Sequence, residues 1–584
     1  MDKKSLEVIQ LFVAKLLERH REIQHHQDED QSLVYANSLL TYWLERKNHT
    51  DLPPQIVVIG PTQAGKSTIA NLLMGGEVAE ASPLAGFTRH ASGYFTDPND
   101  EKIETACNNL LPGLNRSLPR HLSNDKLDCY TLQFKPDTLA IRKPLMVWDT
   151  PDFDSFSSRS YRSTVPKLCA VADLIVLVVS KDKYADQTVW DMLTLIGQIK
   201  RPMLVCINKT PNENQAEIRA VVEKKFLEER IIVNGITTLP ILTGDHLSAW
   251  LTQAETEQFR KLTDANLIPD AGLQDVTQLK QFLQRHWKGW INAVEEECKA
   301  QQQWETIVTT TLKESALAYE RDYLRNPGYG DTMQRAIARL LELLELPGIA
   351  AGLARARQTI TWPARKITNY FKKSVANNDK TPPTDHETQA LNDVLAHLFL
   401  QLQRKAGEHA ANAPENTRLW WQHLWQYTQS QSNALTETGK RSIHTHQTHF
   451  APHIEDSAQE LFQHLQQHPA TLNGLRAARV STDAAAVVFA LKTGGIGLND
   501  LILAPAMLSF STMLTEGAVG RYMKTIEEKL KIKQLKSINE HVLSPMQQQL
   551  ILMPSNMDNS ELYGLSAKEL EETNNALEKL THDR

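Results

Sequence analysis

Cysteine is scarce in this chain of 584 residues: there are five, at positions 107, 129, 169, 206 and 298. The count is odd and no two stand at a metal-ligand spacing. That excludes a disulfide framework and a cysteine zinc site, and predicts buried thiols in a reducing compartment. No sign of charge dominates, since 63 Lys and Arg against 69 Asp and Glu leave a net −6. Such a balance gives no global attraction to nucleic acid or anionic lipid, so no nucleic-acid partner is expected and any basic site must be local. No uncharged apolar run reaches the roughly 18 to 20 residues of a membrane span. The N-terminal stretch MDKKSLEVIQLFVAKLLERH is interrupted by Glu7 and Lys15 and has no small-residue cleavage site, so no signal peptide is expected. A cytoplasmic or peripheral-membrane protein follows as the expectation. A repeat of fixed period is also missing, which argues against a solenoid.

What is present is ordinary globular composition, 41% hydrophobic and 23% charged, in a chain too long for one core. Residues 1–54 read as two helices and a hinge. Leu6, Ile9, Phe12, Val13 and Leu16 form one apolar face, and Leu33, Ala36, Leu40, Trp43 and Leu44 another. These helices are expected to pack on a helical bundle further along the chain. From 55 to 285 short β-rich runs appear, at 55–60, 92–96, 129–134, 144–149, 173–180, 202–208 and 238–243. Several are almost continuously apolar, as strands covered on both faces are. Helical stretches separate most of them, so an α/β domain with a mainly parallel sheet and helices on both faces is expected. From 286 to 584 no strand pattern is found. The helical stretches 286–325, 331–346, 386–411, 415–449, 454–477, 484–498, 501–531 and 559–581 predict a long all-α bundle or stalk.

The chemistry is concentrated near residue 60. In IVVIGPTQAGKSTIANLL an apolar run stops at Gly60, Gly65-Lys66-Ser67 follows, and the apolar residues then fall at helical spacing. Gly60 to Ser67 matches the phosphate-loop pattern between a strand and a helix. Glycines let backbone N–H groups curl round phosphates, and the helix N-terminus adds positive potential. Lys66 is expected to reach the β- and γ-phosphates and the Ser67 hydroxyl to ligate Mg²⁺, with Gln63, Ala64 and Thr68 lining the same loop. PLMVWDTPD ends a strand at Asp149, where a carboxylate holds Mg²⁺ in nucleotide switches. Thr88, between the phosphate-loop helix and the next strand, is placed to complete the Mg²⁺ shell when a γ-phosphate is present. Asn208-Lys209 end the strand PMLVCIN where guanine-specific sites carry Asn-Lys-x-Asp. Thr243-Gly244 follow the last strand and can approach the base.

In their order, GPTQAGKS, TRH, WDTPD, ADLIVLVVS, INK and LTGD resemble the G domain of the dynamin superfamily over residues 55–285, and the flanking helices match by architecture only. The chain resembles a bacterial dynamin-like protein. The resemblance implies GTP and GDP as nucleotides with Mg²⁺, and hydrolysis with Gln63, Lys66 and Thr88 as catalytic residues. It also implies self-association of G domains across their pockets, other dynamin-like proteins as partners, and membrane or vesicle remodelling, with toxin secretion as one setting. Three departures bear on rate and specificity. Thr62 stands where family members commonly carry the water-positioning Gln, and Gln63 follows it. Asp152 stands in place of the glycine whose amide contacts the γ-phosphate. Pro211 stands in place of the base-reading Asp, with Asn212 and Glu213 close enough to substitute. Slow intrinsic turnover is therefore expected.

Two segments of the helical half are candidate membrane contacts. Residues 346–373 carry six cations and no acid, with Trp362, Arg365 and Lys366 among interleaved aromatic and apolar side chains. The stretch reads as a lipid-facing surface or as a solvated helix face. Residues 484–523 hold two apolar blocks around a Gly-Gly-Ile-Gly break, the second including Leu501, Ile502, Met507 and Phe510. They read as an apolar hairpin that dips into a bilayer or as two buried core helices. Histidines 444, 446, 449 and 453 read as an exposed helix rather than a metal site. The alternative to a membrane GTPase is a nucleotide-binding interaction protein with little hydrolysis, acting through partner proteins.

Overall fold

The computed structural model describes residues 3–23, 29–80, 89–122, 128–152, 163–180, 187–211, 213, 215–241, 247–273, 276–325, 331–344, 386–470, 472–473 and 517–582. The chain divides into two units, one formed by Met1–Cys298 with Asn559–Arg584 and the other by Lys299–Asp558.

The first unit is built on eight strands: β1 Gln55–Ile59, β2 Ala91–Phe95, β3 Asn115–Arg116, β4 Cys129–Phe134, β5 Met146–Asp149, β6 Leu174–Ser180, β7 Met203–Asn208 and β8 Gly235–Thr238. They form one sheet in the order β3-β4-β2-β5-β1-β6-β7-β8. Every pairing is parallel except β2 with β5. The near-continuous apolar runs have the cause expected of them. Val57, Ile59, Ile175, Leu177, Val205 and Ile207 face one core, and Ile56, Val58, Val176, Val178, Leu204 and Cys206 face the other. Alternate residues of each central strand are thus buried against opposite layers.

Helices of this unit are α1 Lys3–Ile23, α2 Gln31–Glu45, α3 Lys66–Met74, α4 Asp100–Leu110, α5 Thr164–Val171, α6 Gln187–Ile196, α7 Gln215–Glu228, α8 Leu247–Leu251 and α9 Ala254–Asn266. The first part of α10 (Val276–Tyr319) and the last helix, Ala567–His582, complete it. Ile69, Leu72 and Leu73 of α3 and Phe259 of α9 cover one face. On the other face α2 packs against α4 and α5, and α1 packs against α2 and the last helix. Phe12 and Trp287 rings lie 5.8 Å apart, Tyr35 and Phe282 5.5 Å apart. Arg201 ties α2 to the sheet: it lies 4.7 Å over the Tyr42 ring and donates to the Ala172 carbonyl at 2.7 Å.

The residue 1–54 helices, expected on the distant bundle, therefore belong to the sheet-bearing unit, joined there by residues 276–298 and the end of the chain. Their apolar faces bury against one another, α4, α5, the first part of α10 and the last helix. The boundary expected at 285 falls at Cys298. The last strand also sits earlier than the run 238–243. It ends at Thr238, and Pro240 just beyond it has no N–H to give a ladder.

The second unit is helical throughout its described residues. Beyond the rest of α10 it holds α11 Asp331–Leu343, α12 His386–Asn412, α13 Glu415–Ser430, α14 Ser432–Gln466, α15 Gly517–Ile538, α16 Ser544–Ile551 and α17 Met553–Asn556, so that Ala567–His582 becomes α18. Leu340 of α11, Leu461 of α14 and Ile526 of α15 share one core. The break expected near 450 is absent: α14 runs through Pro452. Losing one intrahelical bond there is outweighed by the packing of α14 on α11 and α15.

Candidate functional site

β1 delivers the chain to Gly60, and the loop turns back into α3. At Gly65 the backbone is left-handed, φ 97°, and a Cβ would collide with the Asn208 side-chain amide. Glycine is required there on both counts. The first-turn N–H groups of α3 lack intrahelical acceptors, as at any helix start, which suits an anion there. Gln63 also has a left-handed backbone, φ 62°, and its side chain is exposed. Thr62, at the position where a water-positioning Gln was expected, is buried.

Behind the loop stand the ends of β5 and β7. Asn208 is buried and donates to the Ala64 carbonyl at 3.0 Å, while its oxygen accepts from Lys209 N at 2.9 Å. Lys209 Nζ donates to the Gln63 carbonyl at 2.9 Å. Both base-side residues thereby fix the loop's far edge. Thr150 Oγ1 donates to the Val58 carbonyl at 2.8 Å, which locks the end of β5 onto β1.

Ser67 Oγ donates to Asp149 Oδ2 at 2.7 Å. Asp149 is buried and its other oxygen, Oδ1, has no hydrogen-bond partner. Burial pushes this carboxyl up from 3.8 to about 6, against the opposing pull of the Ser67 hydrogen bond and the Lys66 charge. An orphaned buried carboxylate oxygen beside a serine hydroxyl, at the start of a phosphate-loop helix, is a hard-oxygen donor set that fits Mg²⁺.

Lys66 is buried. Its ammonium donates to the Pro61 carbonyl at 3.1 Å and forms an ion pair with the equally buried Asp152. Asp152, which stands in place of a glycine, takes the lysine itself.

The structure thus brings together Gly60, Gln63, Ala64, Gly65, Lys66, Ser67, Asp149, Asn208 and Lys209, with Thr68 half-buried at the third position of α3. Thr88, Thr243 and Gly244 lie outside the described residues. So do Trp362, Arg365, Lys366, Leu501, Ile502, Met507 and Phe510. Among the described residues no helix is long and apolar enough to cross a membrane, and no group of three or more His, Cys, Asp or Glu is placed to hold a metal ion.

Residues 55–209 match the family model described as a 50S ribosome-binding GTPase. Together with the sheet order and the loop, this defines the class of the sheet-bearing unit: it contains a P-loop GTPase domain. In this chain the GTPase domain is followed by a large helical unit. Among solved structures, Aquifex aeolicus Era bound to GDP·AlF4⁻ is 18% identical over 36% of this chain and 56% of that one, with a TM-score of 0.23. The chain therefore spans just over half of Era's length. A bacterial dynamin pair, described as a mechanism for long-range sensing and tethering of membranes, is 12% identical over 95% of this chain and 96% of that one, with a TM-score of 0.36. Comparison with curated proteins returns no match.

Proposed function

We propose that this protein is a dynamin-like GTPase that binds GTP with Mg²⁺ in the loop Gly60–Ser67, hydrolyses it slowly, and couples the nucleotide state to self-association and to membrane or vesicle remodelling. Toxin secretion is one setting such work would serve. The observation that carries the nucleotide reading is the Ser67–Asp149 pair with its orphaned oxygen, set against a glycine-built loop with a buried lysine. Lys66 would neutralise the phosphates, and Ser67 and Asp149 would hold Mg²⁺, which supplies charge neutralisation between the β- and γ-phosphates. Asn208 positions the loop, and Lys209 offers its aliphatic stem to a base. Gln63, exposed on the loop, would orient water once a second G domain covers the pocket. Thr88 would add to the Mg²⁺ shell and Thr243-Gly244 to the base site.

Phosphate release from Mg²⁺·GTP tests this reading, measured for wild type and Ser67→Ala at rising protein concentration. The expected monomer rate is no more than about 10⁻² s⁻¹, rising with concentration and lost in Ser67→Ala. Turnover of several per second from the monomer would refute slow hydrolysis. Flotation with phosphatidylglycerol vesicles tests the membrane part. Binding weakened by Arg365→Glu/Lys366→Glu supports a lipid surface at 346–373, and unchanged binding removes that segment from it.

A second reading is favoured by one specific observation, the engagement of Lys66 by Asp152. On that reading the domain binds nucleotide with little hydrolysis, and the helical unit acts through partner proteins.

A further inference from the structure

We infer that Asp152 is a γ-phosphate discriminator: its carboxylate occupies the Lys66 ammonium so that the pocket accepts a nucleoside diphosphate readily and a triphosphate only after Asp152 is displaced. The inference rests on the nucleotide reading of the Gly60–Ser67 loop and adds a preference within it.

The geometry is asymmetric. A lysine ammonium has three donors. In Lys66 one goes to the Pro61 carbonyl, inside the loop, and one to Asp152, outside it. The loop itself wraps the α- and β-phosphates, and the lysine spans β and γ. Asp152 lies three residues beyond Asp149, past the end of β5, and engages Lys66 from outside the loop. With a diphosphate, the remaining donor of Lys66 can meet the β-phosphate while both existing contacts persist. With a triphosphate, the γ-oxygens and the Asp152 carboxylate compete for one donor.

Competition is steep because both partners are buried: Lys66 is 5% and Asp152 5% exposed. Solvent screens little there, so a carboxylate that loses the Lys66 ammonium faces the added phosphate charge at short range. A diphosphate needs only the third Lys66 donor and leaves the ion pair in place.

The test is calorimetric titration of the full chain with Mg²⁺·GDP and with the Mg²⁺ complex of a non-hydrolysable GTP analogue, for wild type, Asp152→Asn and Asp152→Gly. Asn keeps the shape and an acceptor for Lys66 but removes the charge. Gly removes the side chain, and circular dichroism melts verify that each variant is folded. The inference predicts that wild type prefers GDP. It also predicts that both variants raise affinity for the triphosphate analogue by at least about tenfold while GDP affinity changes less than about threefold. A GDP-to-analogue affinity ratio that is the same in all three proteins overturns the inference and leaves the nucleotide site standing. Absence of binding of either nucleotide to every variant overturns both.

Discussion

Replacing Asp149 by Asn should stabilise the nucleotide-free protein while destroying its Mg²⁺-dependent function. The carboxyl is buried, Oδ2 receives the Ser67 hydroxyl, and Oδ1 receives nothing. Its pKa is raised by burial from 3.8 to about 6. Because the folded state holds this proton more tightly than the unfolded chain, the group favours folding at low pH. That advantage is lost as pH rises from about 4 to about 6 and is absent above it, where the ionised form costs roughly 3 kcal/mol. An amide at 149 carries no charge at any pH, but its NH₂ must find an acceptor, which offsets part of the gain. The net expectation at pH 7.5 in chelator is stabilisation of about 1–2 kcal/mol, or roughly 2–8 °C in the melting temperature of the sheet-bearing unit. At pH 4.5 the gain should vanish. Asp173 is raised to about 6 by burial as well, so the wild-type pH slope contains both acids and only the difference between the two proteins isolates Asp149. Differential scanning calorimetry at the two pH values decides. An Asn variant less stable than wild type at pH 7.5, or equally stabilised at both pH values, would refute the reasoning.

Three further outcomes follow from named contacts. Gly65→Ala puts a Cβ into the Asn208 amide at a left-handed φ. It should lose nucleotide binding and about 1–3 kcal/mol of stability, and binding at wild-type affinity would show that the loop is not the cradle. In the helical unit, Glu387 is buried, and its Oε1 accepts from Gln534 Nε2 at 2.6 Å and lies 2.9 Å from His446 Nε2, whose Nδ1 lies 2.9 Å from Ser537 Oγ. Glu387→Ala should cost about 3–5 kcal/mol in urea unfolding because it leaves buried polar partners behind, and a loss below about 1 kcal/mol would mean that water or rearrangement replaces it. Trp287→Ala removes a ring packed on Phe12 and a 2.8 Å bond to Asn574. A cost of about 3–5 kcal/mol is expected, with earlier proteolysis of residues 1–23, and unchanged proteolysis would place the anchor of α1 elsewhere.

Much of the first unit was legible because its signals are local. A strand covered on both faces leaves a continuous apolar run such as LIVLVV, and a phosphate loop leaves its glycines and lysine at fixed spacing. What stayed hidden depends on partners distant in sequence. Lys66 and Asp152 are 86 residues apart, and no spacing rule connects them. The histidines at 444–453 looked like an exposed polar face, yet His446 is fully buried, since Glu387 and Ser537 from two other helices meet it. The apolar faces of α1 and α2 showed that they must be covered but not by what. Pro452 illustrates the reverse case, a local helix-breaking signal overruled by tertiary packing.

The central claim is that Gly60–Ser67 binds a guanine nucleotide with Mg²⁺. Its most direct test is calorimetric binding of Mg²⁺·GDP, Mg²⁺·GTP and Mg²⁺·ATP to the wild type and to Lys66→Ala. The account predicts guanine-selective binding by the wild type, abolished in the folded Lys66→Ala protein. Equal affinity for ATP would contradict guanine selectivity, and no binding of any nucleotide at millimolar concentration would contradict the site itself.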